Sequence, residues 1–271
     1  MNLYTFLIFI FVNDVYSWNS TFYANVSNFQ YNTAIEFISN INLNNNVSIL
    51  DIGCGNGKIT HYIASNITNN DVYGIDNSRS MIKYAKINYL KQNLHFRNVD
   101  ISNVNISDII YNKYDTIVSF FCIPWVKDKK NAFKNIAKLS NKGTKIYILG
   151  AIFEKNHVKL INNMTEKPYW KPYYINYTSP FEYLNDINYE KYSTESGINV
   201  VCNKIFDIKY KFENRDKLRD FNLAILPHIK HLNNENKIKF VNELLDDYIL
   251  YTQQNDYTIT FTLIKFIGVK N

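Results

Sequence analysis

Residues Asp51-Ile52-Gly53-Cys54-Gly55-Asn56-Gly57 put three of the chain's eight glycines within five positions, directly behind a carboxylate. Glycine carries no Cβ, so a ligand can approach the backbone of such a loop closely. Val47–Leu50 reads as a short buried strand and Lys58–Ile63 as the start of a helix. A glycine turn between strand and helix aims helix N–H groups at whatever binds there. Asp51 narrows the choice of ligand. A fixed carboxylate at a strand end repels a pyrophosphate and suits a ligand that carries an ammonium group. The spacing also differs from the dinucleotide fingerprint G-x-G-x-x-G.

Two further acidic residues occupy equivalent places. Asn70–Asp76 is a short apolar strand ending on Asp76, and Leu94–Asp100 is another ending on Asp100. In a doubly wound sheet the end of the second strand lies beside a ribose, where a carboxylate accepts both hydroxyl hydrogens. Asp76 could instead cap a helix starting near Ser78. Asp100 could meet an adenine amino group, or serve as a turn residue. Three acidic strand ends in one register suit a cationic nucleoside, and S-adenosylmethionine (SAM) is such a molecule.

The chain resembles the class I SAM-dependent methyltransferases over residues 47–150. The blocks are ILDIGCGNG, VYGIDNSRSMIKYAK, FRNVD, YDTIVSFFCIPWV and TKIYILG. The resemblance implies an α/β fold with a doubly wound, mostly parallel seven-stranded sheet and a helical, aromatic insertion after strand five. It places Asp51, Gly53 and Gly55 near the methionine part of SAM, with Cys54 a small loop residue. Asp76 falls at the ribose, Asp100 and Ile101 at the adenine, and Asn77 and Ser119 among the remaining cofactor contacts.

The flanks resemble a narrower group, the trans-aconitate and juvenile hormone acid methyltransferases. Trp18–Tyr23 leading into Phe29–Phe37 looks like their opening, and Phe121-Cys122-Ile123-Pro124-Trp125-Val126 like their run after strand four. This resemblance puts Gln30 and Trp125 at the substrate end of the pocket. Tyr31 and Asn32 stand where basic residues commonly follow that glutamine, and Pro124 where a polar residue is common. The acceptor is therefore open, with a small carboxylic acid the first expectation.

Composition bounds the remaining classes. With 271 residues, 46% hydrophobic and 16% aromatic, the chain can bury a large core. Three scattered cysteines suggest no disulfide framework, and the dispersed histidines suggest no metal site. The net charge of +6 comes from lysines spread along the chain. The cluster at Lys127, Lys129 and Lys130 reads as a solvated helix face. Cys122-Ile123-Pro124-Trp125 lacks the polar residue and second proline of the loop that many nucleic-acid amino-methylating enzymes carry. No nucleic-acid partner is expected.

Leu3–Val12 is apolar but too short to span a bilayer. Residues 1–17 read either as a signal peptide, although no Lys or Arg precedes the apolar run, or as an N-terminal extension. The protein is accordingly expected in the cytoplasm, or secreted if that segment is cleaved. Residues 18–271 read as one methyltransferase domain, with 47–151 holding the cofactor and 152–192 and 213–252 capping the substrate. Residues 22–40 are expected as a helix, as are 79–91, 128–140, Arg215–Ile229 and Asn236–Tyr251. In the last of these, Ile238, Val241, Leu245 and Tyr248 recur at helical spacing and read as core. Lys167–Tyr174, with two prolines and four aromatics, reads as a loop that is either an aromatic lid or ordinary packing.

Methyl transfer from a sulfonium asks for positioning and exclusion of water. A carboxylate acceptor is already ionised at neutral pH and needs no general base, so no catalytic acid or base is assigned. The alternatives are N- or C-methylation of another metabolite, or a SAM-binding interaction protein without turnover.

Overall fold

A computed structural model describes residues 19–271 apart from 42, 44–46, 68, 111, 254 and 255. The segment 1–17 and Trp18 lie outside the described residues. The strands are β1 (Ile49–Ile52), β2 (Val72–Asp76), β3 (Leu94–Asn98), β4 (Tyr114–Phe120), β5 (Ser140–Ile152), β6 (Ile198–Lys211) and β7 (Thr258–Lys270). They form one sheet in the order β3-β2-β1-β4-β5-β7-β6, in which β7 runs antiparallel to both neighbours and the remaining pairs are parallel. Parallel strands need crossovers, and these cover both faces. The helices are α1 (Ser20–Val26), α2 (Asn28–Ser39), α3 (Lys58–Asn66), α4 (Arg79–Asn88), α5 (Ile106–Ile109) and α6 (Lys129–Lys138). After β5 come α7 (Lys155–Glu166), α8 (Phe181–Leu184), α9 (Tyr189–Glu195), α10 (Arg215–Ile225) and α11 (Asn234–Thr252). No helix of the described residues is long and apolar enough to cross a membrane.

Burial on both faces explains why the central strands are nearly continuous apolar runs. All four residues of β1 are buried, and Ile49 and Leu50 belong to two different apolar clusters. The edge strand β6 alternates between partly covered and exposed positions, as a strand with one packed face does. Helix α4 buries Met81, Ile82 and Ala85, and the Ser78 side chain accepts from Met81 N at its start. Asp128 caps α6 by accepting from Asn131 N at 2.9 Å.

Several elements differ from the sequence expectation. The helix expected over 22–40 is two helices, because Ser27 leaves helical geometry with ψ at 24°. In α11 the buried stripe is Phe240, Val241, Leu244 and Leu245, whereas Ile238 is exposed. The helical insertion expected after strand five is α7, α8 and α9, and the 167–174 run expected as loop ends in a 3-10 turn over Lys171–Tyr174. The lysine cluster is not wholly solvated. Lys129 is 1% exposed, and its Nζ donates to the carbonyl oxygens of Val126 and Tyr183. Burial draws its pKa down to about 8, against the opposing pull of Asp186. This lysine ties the start of α6 to the α8 segment.

Candidate active site

The carboxyl ends of β1, β2 and β3 are brought level by their registers: Ile52 lies beside Ile75, and Asp76 beside Asn98. The β1–α3 loop folds over this edge. Gly53 N and Cys54 N both donate to the carbonyl oxygen of Ile75, at 2.7 and 3.0 Å. Gly53, Gly55 and Gly57 all take positive φ, at 74°, 53° and 85°. A Cβ on Gly55 would meet nothing within 4 Å, so the loop presents bare backbone to open space there.

Asp76 fastens this loop to the next one. Its Oδ2 accepts from Gly55 N at 3.0 Å and its Oδ1 from Ser78 N at 2.8 Å. Ser78, not Asp76, is the cap of α4. Burial raises the Asp76 pKa, opposed by these two hydrogen bonds, and Asp100 raises it further. A cationic ligand would relieve both unfavourable contributions. Asp100 accepts from Ser102 N and Oγ at 2.8 and 2.7 Å, so it is a turn residue as well as a wall residue.

These elements line a cavity of about 350 Å³. Its wall brings together Gln30, Gly53, Gly55, Asp76, Asn77, Asp100, Ile101 and Trp125 from the sequence assignment. Asp51, Cys54 and Ser119 are not on the wall. Asp51 is 1% exposed and lies behind the loop, where its Oδ2 accepts from Thr60 Oγ1 at 2.7 Å. Burial pushes its pKa up to about 7 despite that hydrogen bond, with Asp76 adding to the rise. Asp51 thus reaches the glycine loop from behind, through Thr60 and α3. The Cys54 thiol packs beside Gly74, and burial pushes its pKa well up, so it is no thiolate. Ser119 is fully buried and donates to the carbonyl oxygen of Ile52, clamping β4 to β1.

Gln30 is 7% exposed and therefore no surface helix residue, and its Oε1 has no hydrogen-bond partner. A buried unpaired amide oxygen is costly unless a ligand meets it. Sequence reasoning missed the residues that continue the wall beyond it. Phe121 takes φ of 57°, an uncommon state for a bulky side chain, while its N–H still donates to Leu149. Phe29 stacks on Phe261 at 4.0 Å and meets Phe121 and Phe221 edge-on. His157, Leu160 and Tyr248 also line the cavity. Only the amphipathic pattern of 215–225 could have hinted at Phe221. Among the described residues no group of three or more His, Cys, Asp or Glu could hold a metal ion.

The cavity wall carries groups that suit the parts of SAM. The bare Gly55 backbone accommodates close approach, Asp76 offers acceptor oxygens, and Met81 and Ile101 give apolar contact for a base. Replacing Asp76 with Ala should weaken SAM binding about 10- to 100-fold, the worth of hydrogen bonds to a charged group. Calorimetry on the folded variant checks this, and an unchanged affinity would remove Asp76 from the binding surface.

Asp51 makes a separate prediction about pH. Its folded pKa lies near 7 and its ordinary value at 3.8. Its contribution to stability is full below the lower value and is lost as pH rises through the higher one. Asp51→Asn should therefore gain stability relative to the parent at alkaline pH, and this advantage should shrink as pH falls from 7 toward 4. Urea midpoints of both proteins without SAM measure it. A pH-independent difference would contradict the raised pKa.

A protein-family profile described as "Methyltransferase domain" matches residues 43–197. Protein 235L of Invertebrate iridescent virus 6, a candidate methyltransferase by its own description, is 44% identical over 262 residues, covering 97% of each chain. Juvenile hormone acid O-methyltransferase of Bombyx mori is 27% identical over 188 residues, 66% of each chain. The solved structure of a candidate methyltransferase from Bacillus halodurans C-125 superposes with a TM-score of 0.60 at 12% identity, covering 87% of this chain and 97% of that one. That structural likeness speaks for the fold, and the sequence matches speak for the family. The chain belongs to the methyltransferase domain family and is a class I SAM-dependent methyltransferase.

Proposed function

We propose that the protein transfers the methyl group of SAM to the carboxylate of a small, largely apolar acid. The observation that carries this reading is Gln30: a buried amide end, unpartnered at Oε1, on the wall of a cavity that Asp76 and several aromatic side chains also line. A half-turn of that amide presents Nε2 instead, a donor for a carboxylate oxygen. The titratable groups at the far end are poorly suited to taking a proton. Glu154 accepts from Asn156 N, Asn156 Nδ2 and His157 N as the cap of α7. Burial draws the His157 pKa down to about 4. An acceptor that is already anionic at neutral pH fits such surroundings better than an alcohol. The reported match to an acid O-methyltransferase points the same way.

In this reading SAM supplies an electrophilic methyl on a cationic sulfur. Asp76, Asn77 and the glycine loop hold the nucleoside, with Asp100 and Ile101 at the base. Asp51 acts indirectly, by fixing α3 against the loop through Thr60. Gln30 orients the carboxylate, while Phe121 and Trp125 wall the reacting region against water. Residues 152–192 and 213–252 form the cap.

The test is incubation with methyl-labelled SAM and a panel of acids, scoring base-labile methyl esters. Gln30→Ala should lower kcat/KM for the best acid about 10- to 100-fold, with the SAM dissociation constant moving less than about twofold. Label transfer to amines and to no acid would overturn the carboxylate assignment. SAM binding with transfer to neither would favour a binding protein without turnover.

A further inference from the structure

We infer that the acceptor carries a second polar function, and that the His157 imidazole binds it at the cap end of the cavity. This deepens the acid reading and rests on it only for the identity of the methylated group. His157 sits on α7, three residues after that helix's capping glutamate, whereas Gln30 sits on α2. The two polar groups therefore reach the cavity wall from different elements, and the same wall carries several aromatic side chains.

The surroundings of His157 argue for a ligand. Its ring faces Phe153 at 5.8 Å and Tyr248 at 6.1 Å between ring centroids. Neither ring nitrogen has a hydrogen-bond partner among the described residues. The residue keeps accessible surface, and it lies on the cavity wall. Its titratable neighbours give the ring no hydrogen bond, and they include His228, whose buried Nδ1 has no partner among the described residues either. Glu154 serves as the helix cap, and Asn222 Nδ2 donates back to the carbonyl oxygen of Leu218 at 2.9 Å. An imidazole in an apolar chamber offers one donor and one acceptor, and it costs free energy when neither is met.

The depressed pKa decides which role this histidine takes. An imidazole drawn down to about 4 is neutral at physiological pH and a weak base. It suits hydrogen bonding to an uncharged oxygen better than proton abstraction. The acceptor class is thus an apolar skeleton with a carboxylate at one place and a hydroxyl, ketone or ether oxygen at another. A site built to hydrogen-bond such an oxygen discriminates strongly against the analogue that lacks it.

The experiment compares straight-chain saturated acids of about eight to fourteen carbons, a size range a small-molecule cavity admits, with matched ω-hydroxy and keto acids. Two readouts are taken: kcat/KM with saturating SAM, and dissociation constants of the same acids for the protein loaded with S-adenosylhomocysteine (SAH). The native protein should favour the oxygenated member of its best pair about 10-fold or more. His157→Phe should flatten that ratio towards one while SAM affinity stays as it was, and His157→Gln should retain part of the preference. An equal preference in the native protein and in His157→Phe would overturn the inference while leaving the carboxylate reading intact. So would a native protein that does not distinguish the pairs. If amines rather than acids take the label, matched plain and oxygenated amines give the same ratio test, and the two failures stay separate.

Discussion

Gly53→Ala should abolish cofactor binding, and the cause is steric. A Cβ at this position would lie 2.1 Å from the Cβ and 2.2 Å from the Sγ of Cys122, and the backbone φ is 74°. The first contact is with an atom next to the backbone, so no rotation of Cys122 relieves it. Overpacking costs roughly 1–3 kcal/mol and a left-handed L-residue about 1–2 more. The loop would have to leave the carbonyl of Ile75, taking Gly55 N away from Asp76. SAM affinity should fall at least about 100-fold, or the chain should fail to fold. The double variant Gly53→Ala with Cys122→Gly removes the clash and leaves the φ cost, so it should recover part of the binding. Native affinity in the single variant would mean that the loop is not packed on Cys122.

Trp170→Ala should cost about 3–5 kcal/mol of stability, as large truncations at buried aromatic sites do. Trp170 is fully buried, meets Phe240 edge-on at 5.1 Å, and donates from Nε1 to Glu243 Oε2 at 2.8 Å. Its neighbours reinforce the seam between this run and α11: Lys167 pairs with Asp247, and Tyr169 OH donates to Asn236. None of residues 167–174 lines the cavity. Of the two sequence readings of this segment, packing is the one realised. Denaturant midpoints should fall sharply in Trp170→Ala and less in Trp170→Phe, which keeps most of the ring contact. An unchanged midpoint with a raised acceptor KM would restore the lid.

These two cases mark what could be read from the chain and what could not. The glycine loop and the acidic ends of β2 and β3 are local patterns, and in this fold consecutive strands end on one edge, so Asp76 and Asp100 reach the cavity together. Asp51 has the same local signature but a different outcome. Its side chain meets Thr60 on the first turn of α3, and residue type alone does not reveal that orientation. The far wall was not legible. Phe29, Phe221 and Phe261 come from α2, α10 and β7, and their meeting is a property of tertiary packing. Helix α7 was missed although Val158, Ile161 and Met164 recur in it at helical spacing and the last two are buried. The prolines of the 167–174 run correctly excluded regular α-helix. They carried no information on whether its aromatics would face the cavity or α11.

The most direct test of the account is a crystal structure of the protein with SAH. The ribose hydroxyls should lie about 2.6–3.0 Å from Asp76 carboxylate oxygens, with the methionine carboxylate end against the glycine loop. The homocysteine sulfur should face the Gln30 and Trp125 side of the cavity. SAH bound elsewhere, or with its ribose remote from Asp76, would contradict it.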